Sequence, residues 1–177
     1  FIDMGWMQID RPSQRRPDGA IVSMMKDENR YELTVGDHSR SGEQWDIWEA
    51  TYSPVGADGY PKRLWDKQTG KIDPAVAEQW KKYDLLNILK TTWATVGPRV
   101  AHKINVYVGD MDSYYLNNAV ENLNDFLKKA DNPKWTGEVV FERRAPHCWG
   151  PRGADLLAKI TAQVDKYAPA GADLKSW

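Results

Sequence analysis

Between residues 103 and 167 the chain alternates short β-branched runs with amphipathic stretches, and this alternation restricts its fold more than any other feature. Ile104-Asn105-Val106-Tyr107-Val108 is β-branched and aromatic and reads as a strand. Leu116, Ala119, Val120, Leu123, Phe126, Leu127 and Ala130 then recur on one face of a helix of roughly four turns. Asp131-Asn132-Pro133 ends that helix, and Glu138-Val139-Val140-Phe141-Glu142 predicts a second strand. Leu156, Leu157, Ile160, Val164 and Tyr167 mark a second amphipathic helix. The order strand, helix, strand, helix implies an α/β fold, with parallel strands joined by a right-handed crossover and helices packed on the sheet.

The first half is less regular. Arg16-Pro17-Asp18-Gly19 and the stretch from Ser53 to Pro61 are turn chemistry. Tyr31 to Val35 reads as a short strand, and Glu43 to Ala50 as a short helix carrying Trp45 and Trp48. Asp73-Pro74 is a helix start, an N-cap acid before proline at the first helical position. Val76, Trp80, Leu85 and Leu89 continue it, and Gly97-Pro98 is expected to stop it. The chain therefore divides into an irregular, partly helical, cap-like region over 1–98 and a strand-helix-strand-helix region over 99–177.

Composition removes several classes of function. With 24 Lys plus Arg against 25 Asp plus Glu, the chain lacks the cationic surplus that nucleic-acid binding needs. Cys148 is the single cysteine, so no intrachain disulfide can form. No apolar run approaches the roughly 20 residues of a membrane helix. A soluble protein is expected, and one cysteine suits the cytoplasm and an exported setting equally. Nine tryptophans in 177 residues are first of all core-filling rings. The sequence starts at Phe1, with neither methionine nor a signal peptide, and reads as a processed product or a fragment.

In parallel sheets, sites form beyond the carboxyl ends of the strands, which points to the loops after Val108 and Glu142. The first holds Asp110 and Asp112, and the second holds Arg143, Arg144, His147 and Cys148. Neighbouring strands lie about 4.8 Å apart, so an acid and a histidine on these loops can meet. An Asp accepting from a His ring N–H fixes the tautomer and frees the other nitrogen to take a proton from a nucleophile. Asp112 with His147 is the preferred pair. Asp112 also suits an N-cap, and Asp110 competes for its role. The two acids do not make a calcium loop, because an EF-hand needs glycine at its sixth position, where Tyr115 stands. Cys148 reads as a small buried residue, and His38 and His102 as surface residues. No zinc spacing occurs, and neither metal nor cofactor is expected. Tyr114, Tyr115 and Trp149 flank the pair and are candidates to wall a substrate pocket or to pack. Arg143 and Arg144 could orient a substrate carboxylate, although charges at a strand end are usually solvated.

The run from Lys103 to Leu116, followed by a strand and then Pro146-His147-Cys148-Trp149, resembles the carboxyl-terminal part of an esterase-like α/β-hydrolase. In that superfamily the acid sits in a Gly-x-x-Asp turn after a late strand, matched here by Gly109 to Asp112, and the histidine follows the last strand, matched by His147. A looser likeness extends to Arg40–Trp45 and Asp58–Pro61, which look like an insertion in such enzymes. The resemblance implies hydrolysis of carboxylic esters by a Ser-His-Asp triad through an acyl-enzyme, without a cofactor. This chain departs from the pattern in one respect: no Gly-x-Ser-x-Gly elbow occurs in it. The nearest string runs from Gly36 to Gly42, and neither Ser39 nor Ser41 within it has the right glycine offsets. The serine is therefore expected in an amino-terminal segment or on a partner chain that completes the sheet, and the isolated chain is expected to be inactive. Two other readings remain at this point. One is a non-catalytic carbohydrate- or aromatic-ligand-binding module, and the other is a subunit that completes another chain's sheet.

Overall fold

The computed structural model describes residues 11–36, 40 and 43–173. Among them lie six α-helices, one 3-10 turn and two small two-stranded sheets, a mixed α/β arrangement. An antiparallel hairpin opens it, with β1 (Pro12–Arg15) against β2 (Ile21–Met24). Helices α1 (Met25–Val35), α2 (Gln44–Tyr52), α3 (Pro74–Trp80) and α4 (Leu85–Val100) follow. The remainder is β3 (Val106–Gly109), α5 (Leu116–Lys129), β4 (Val139–Glu142) and α6 (Gly153–Tyr167).

The alternation in the second half is realised. β3 and β4 pair in parallel, from Val106 opposite Val139 to Gly109 opposite Glu142, with α5 between them in the chain. Leu127 of α5 is buried with Trp93 and Ala101, and Leu123, Phe126 and Trp135 pack around them. A second cluster gathers Leu64, Trp65, Ile72, Val76, Ala77 and Trp80, against which Met25, Trp45, Trp48 and Tyr52 pack. Six of the nine tryptophans thus sit in or against the two clusters. Trp6 and Trp177 lie outside the described residues.

Four expectations need correction. Tyr31–Val35 belongs to α1 and is not a strand. Its buried residues, Asn29 and Glu32, are polar, so the helix carries no apolar stripe by which to recognise it. The helix begun at Asp73 is not continuous with the next one. Asp73 accepts from Ala75 N (2.8 Å) and Val76 N (3.3 Å), but α3 ends at Trp80, and Asp84 caps α4 by accepting from Leu86 N (2.9 Å) and Asn87 N (3.2 Å).

Nor do Gly97 and Pro98 stop α4, which runs to Val100. Pro98 forfeits only one backbone bond near the helix end, while Gly97 lets the helix press on its neighbours. A Cβ there would lie 2.8 Å from Pro133 Cδ and 3.0 Å from the Trp93 ring. Finally, the amphipathic pattern predicts that α6 packs its apolar stripe on the sheet, yet Leu156, Leu157, Ile160, Val164 and Tyr167 are all exposed. A pair of strands is only about 5 Å across between axes, too narrow to cover a helix face. What ties α6 to the sheet is polar: Lys159 donates to Glu138 Oε1 (2.5 Å), which also accepts from the Tyr107 hydroxyl.

Candidate active site

The two loops beyond the parallel pair cross at close quarters. Asp110 N donates to Glu142 O (2.9 Å), which extends the ladder by one residue, and Met111 N donates to Ala145 O (3.2 Å). Gly109 is where the crossing is tightest, because a Cβ on it would stand 2.1 Å from Ala145 O. Only glycine fits.

Asp112 emerges from this crossing with its side chain almost fully buried. Its two oxygens do different work. Oδ1 accepts from Tyr114 N (2.9 Å) and Leu116 N (3.2 Å), turning the chain into α5 through Tyr115, whose φ is +61°. Oδ2 lies 2.8 Å from His147 Nδ1. One oxygen thus serves the turn that leads into α5 and the other the histidine, while the N-cap of α5 itself is Tyr115, three residues later than the N-cap reading of Asp112 expects. An ionised carboxylate can only accept, so the shared proton sits on Nδ1 and Nε2 is the basic nitrogen. Among the described residues Nε2 has no hydrogen-bond partner, and the imidazole is about one-third exposed. Tyr114 packs edge-on against it, with ring centroids 4.8 Å apart at 87°.

Asp110, the competing acid, points its carboxylate elsewhere, accepting from Arg144 N (2.6 Å) and so fastening the histidine loop to the acid loop. Cys148 is exposed with φ +64°, which corrects the expectation of a buried residue: the turn after His147 throws it outward. Arg143 and Arg144 are exposed. His102 stacks on Tyr167 with centroids 4.1 Å apart, and His38, Ser39 and Ser41 lie outside the described residues.

Arg15 carried no signal in the sequence beyond its place beside a turn. In the fold it grips the acid loop from the amino-terminal hairpin. Its Nε donates to Asp112 O (3.0 Å), and its Nη2 donates to Asp110 O (3.2 Å) and Asn117 Oδ1 (2.8 Å). The guanidinium also lies 4.4 Å from the centre of the Tyr115 ring, and Arg15 N donates to Ser113 O (2.8 Å). Such a planar fork fixes several carbonyls at once.

His147 borders a cavity of about 520 Å³. Trp45, Trp48 and Trp65 form its walls, with Tyr114 and Tyr115 beside the histidine, whereas Trp149 is not among the residues that line it. The indoles meet edge to face, Trp45 standing 4.7 Å from Trp48 and 5.0 Å from Trp65 between centroids.

Behind the wall sits a buried polar cluster that the sequence did not reveal. Lys67, only 2% exposed, pairs with Glu32 Oε2 (3.0 Å) and Asp46 Oδ1 (2.9 Å). Glu32 Oε1 accepts from Trp45 N (2.7 Å), and Glu49 Oε1 accepts from Leu64 N (2.7 Å) and Trp65 N (3.3 Å). Burial pushes the Glu49 carboxyl above the ordinary glutamate range, against the pull of Lys67 and the two backbone donors. Buried carboxylates thus hold two of the three wall tryptophans by their backbones.

Among the described residues no group of three or more His, Cys, Asp or Glu is placed to hold a metal ion, and no helix is long and apolar enough to cross a membrane. Comparison with protein-family models, with curated proteins and with solved structures finds no match for the chain.

Proposed function

We propose that this chain supplies the acid and the histidine of a serine hydrolase acting on carboxylic esters. The observation that carries the reading is the 2.8 Å contact between Asp112 Oδ2 and His147 Nδ1 at the carboxyl ends of two parallel strands. Asp112 orients the ring and stabilises the imidazolium. His147 Nε2 takes the serine proton as the hydroxyl attacks the ester carbonyl, then returns it to the departing alkoxide. Water repeats the cycle on the acyl-enzyme: His147 removes its proton, and the acid and the free serine are released.

The serine would come from a segment or chain beyond these 177 residues, since the chain holds no Gly-x-Ser-x-Gly elbow. Two features favour such a complement: a parallel pair that is two strands wide among the described residues, and the exposed apolar stripe of α6. A binding module is the competing reading, favoured by the tryptophan-walled cavity.

Hydrolysis of p-nitrophenyl acetate distinguishes them. The 177-residue chain alone should be inactive, and the complete assembly should turn over and lose activity on His147→Ala. Hydrolysis by the isolated chain that depends on His147 would overturn the proposed division of the triad.

A further inference from the structure

The cavity beside His147 is built of rings and closed from behind. Trp45 meets Trp48 and Trp65 edge to face, and Pro12, Met25, Ile72 and Leu116 add apolar lining. Its acid, Glu28, is already engaged, accepting from Ser23 Oγ (2.5 Å) and Ser13 Oγ (3.4 Å). Two of the three tryptophans are anchored at their backbones before a ligand enters, because Glu32 holds Trp45 N and Glu49 holds Trp65 N from the buried side, and Trp48 packs edge-on against the anchored Trp45. A slot fixed in advance loses little entropy on binding. At about 520 Å³ the cavity falls within the range that takes a small organic ligand.

We propose that this cavity is an aryl-binding subsite, so that the ester served by His147 carries a flat aromatic ring. The inference rests on the hydrolase reading for the word ester, and on the cavity for the ring. Indoles set at right angles offer an incoming ring both a face and an edge, the two arrangements aromatic pairs prefer. A simple alkyl chain would gain area but no such geometry. A sugar would need its hydroxyls paired on several sides, whereas most of the exposed lining is apolar, its polar side chains (Arg11, Ser13, Gln14 and Gln44 with His147) are the minority, and its carboxylate is occupied.

The test is calorimetric titration of the 177-residue chain with ethyl cinnamate, ethyl hexanoate and methyl β-glucoside, none of which requires turnover to be read. Ethyl cinnamate should bind roughly tenfold tighter than ethyl hexanoate, and Trp48→Ala should weaken it by about tenfold. Trp48→Leu, which keeps apolar bulk but removes the ring, should lose cinnamate affinity and leave hexanoate affinity within about twofold, so the result does not hang on one variant's folding. Equal binding of cinnamate and hexanoate, preference for the glucoside, or cinnamate affinity unchanged in Trp48→Leu would each overturn the subsite. The hydrolase reading fails separately, when cinnamate binds as described but the complete assembly contains no reactive serine.

Discussion

Arg15 donates through Nε to the backbone oxygen of Asp112 at 3.0 Å, bridging 97 residues of sequence. The acid of the candidate site is thereby held from two directions, by the turn whose Tyr114 and Leu116 N–H groups it accepts from and by a guanidinium from the first hairpin. Arg15→Ala should cost about 2 kcal/mol of unfolding free energy, the worth of hydrogen bonds from a charged donor. Arg15→Lys should recover less than half of this, because an ammonium cannot reproduce the fork. Urea unfolding measures both. In the complete assembly the same variants should lower kcat more than they raise KM, since Arg15 acts on the orientation of Asp112 and not on the ester.

Gly109→Ala tests the crossing of the two loops. A methyl group 2.1 Å from Ala145 O must push them apart, at a cost of about 3 kcal/mol. The variant should also separate Asp112 from His147. The His147 Nδ1 proton resonance reports that separation, shifting upfield and exchanging faster than in the parent chain.

The buried cluster gives a pH signature with a definite sign. The native Glu49 carboxyl lies above its unfolded value of 4.5, chiefly because it is buried. Between those two values the folded chain holds a proton that the unfolded chain has released. The group's contribution is therefore most favourable below the unfolded value, falls as pH rises through the native one, and stays low above it. Glu49→Gln keeps an oxygen for Leu64 N and Trp65 N and removes the titration. Its stability relative to the parent should rise as the pH climbs above about 4.5 in urea melts. A constant difference over that climb would contradict the assignment.

Lys67→Met should be far more damaging than its loop position suggests. It strands the Glu32 and Asp46 carboxylates in the interior, which typically costs about 3 kcal/mol or more. Since Glu32 also holds Trp45 N, tryptophan emission should shift to the red at the same denaturant concentration.

The strands and α5 of the second half were legible because the residues that pack between them are apolar and periodic. Val106 to Val108, the Leu123–Leu127 face and Val139 to Phe141 announce their elements, and parallel pairing then brings the Asp112 and His147 loops to one rim. The first half hid for the opposite reason. α1 buries Asn29 and Glu32, and Lys67 is buried in a loop, so polar residues occupy places where a sequence reading expects apolar ones. β1 is Pro-Ser-Gln-Arg, without alternation, and the hairpin is visible only through its turn, where Gly19 takes φ +88°. Arg15 could not be found from the sequence, because its partners lie across the fold and its type says only that it is charged.

The central claim, that Asp112 and His147 serve an ester-hydrolysing serine, is tested most directly by fluorophosphonate labelling of the complete gene product or assembly that contains this chain. One serine should be labelled, within a strand-turn-helix Gly-x-Ser-x-Gly segment, and labelling should be lost in His147→Ala and strongly slowed in Asp112→Asn. No labelled serine, or labelling indifferent to His147, would contradict the account.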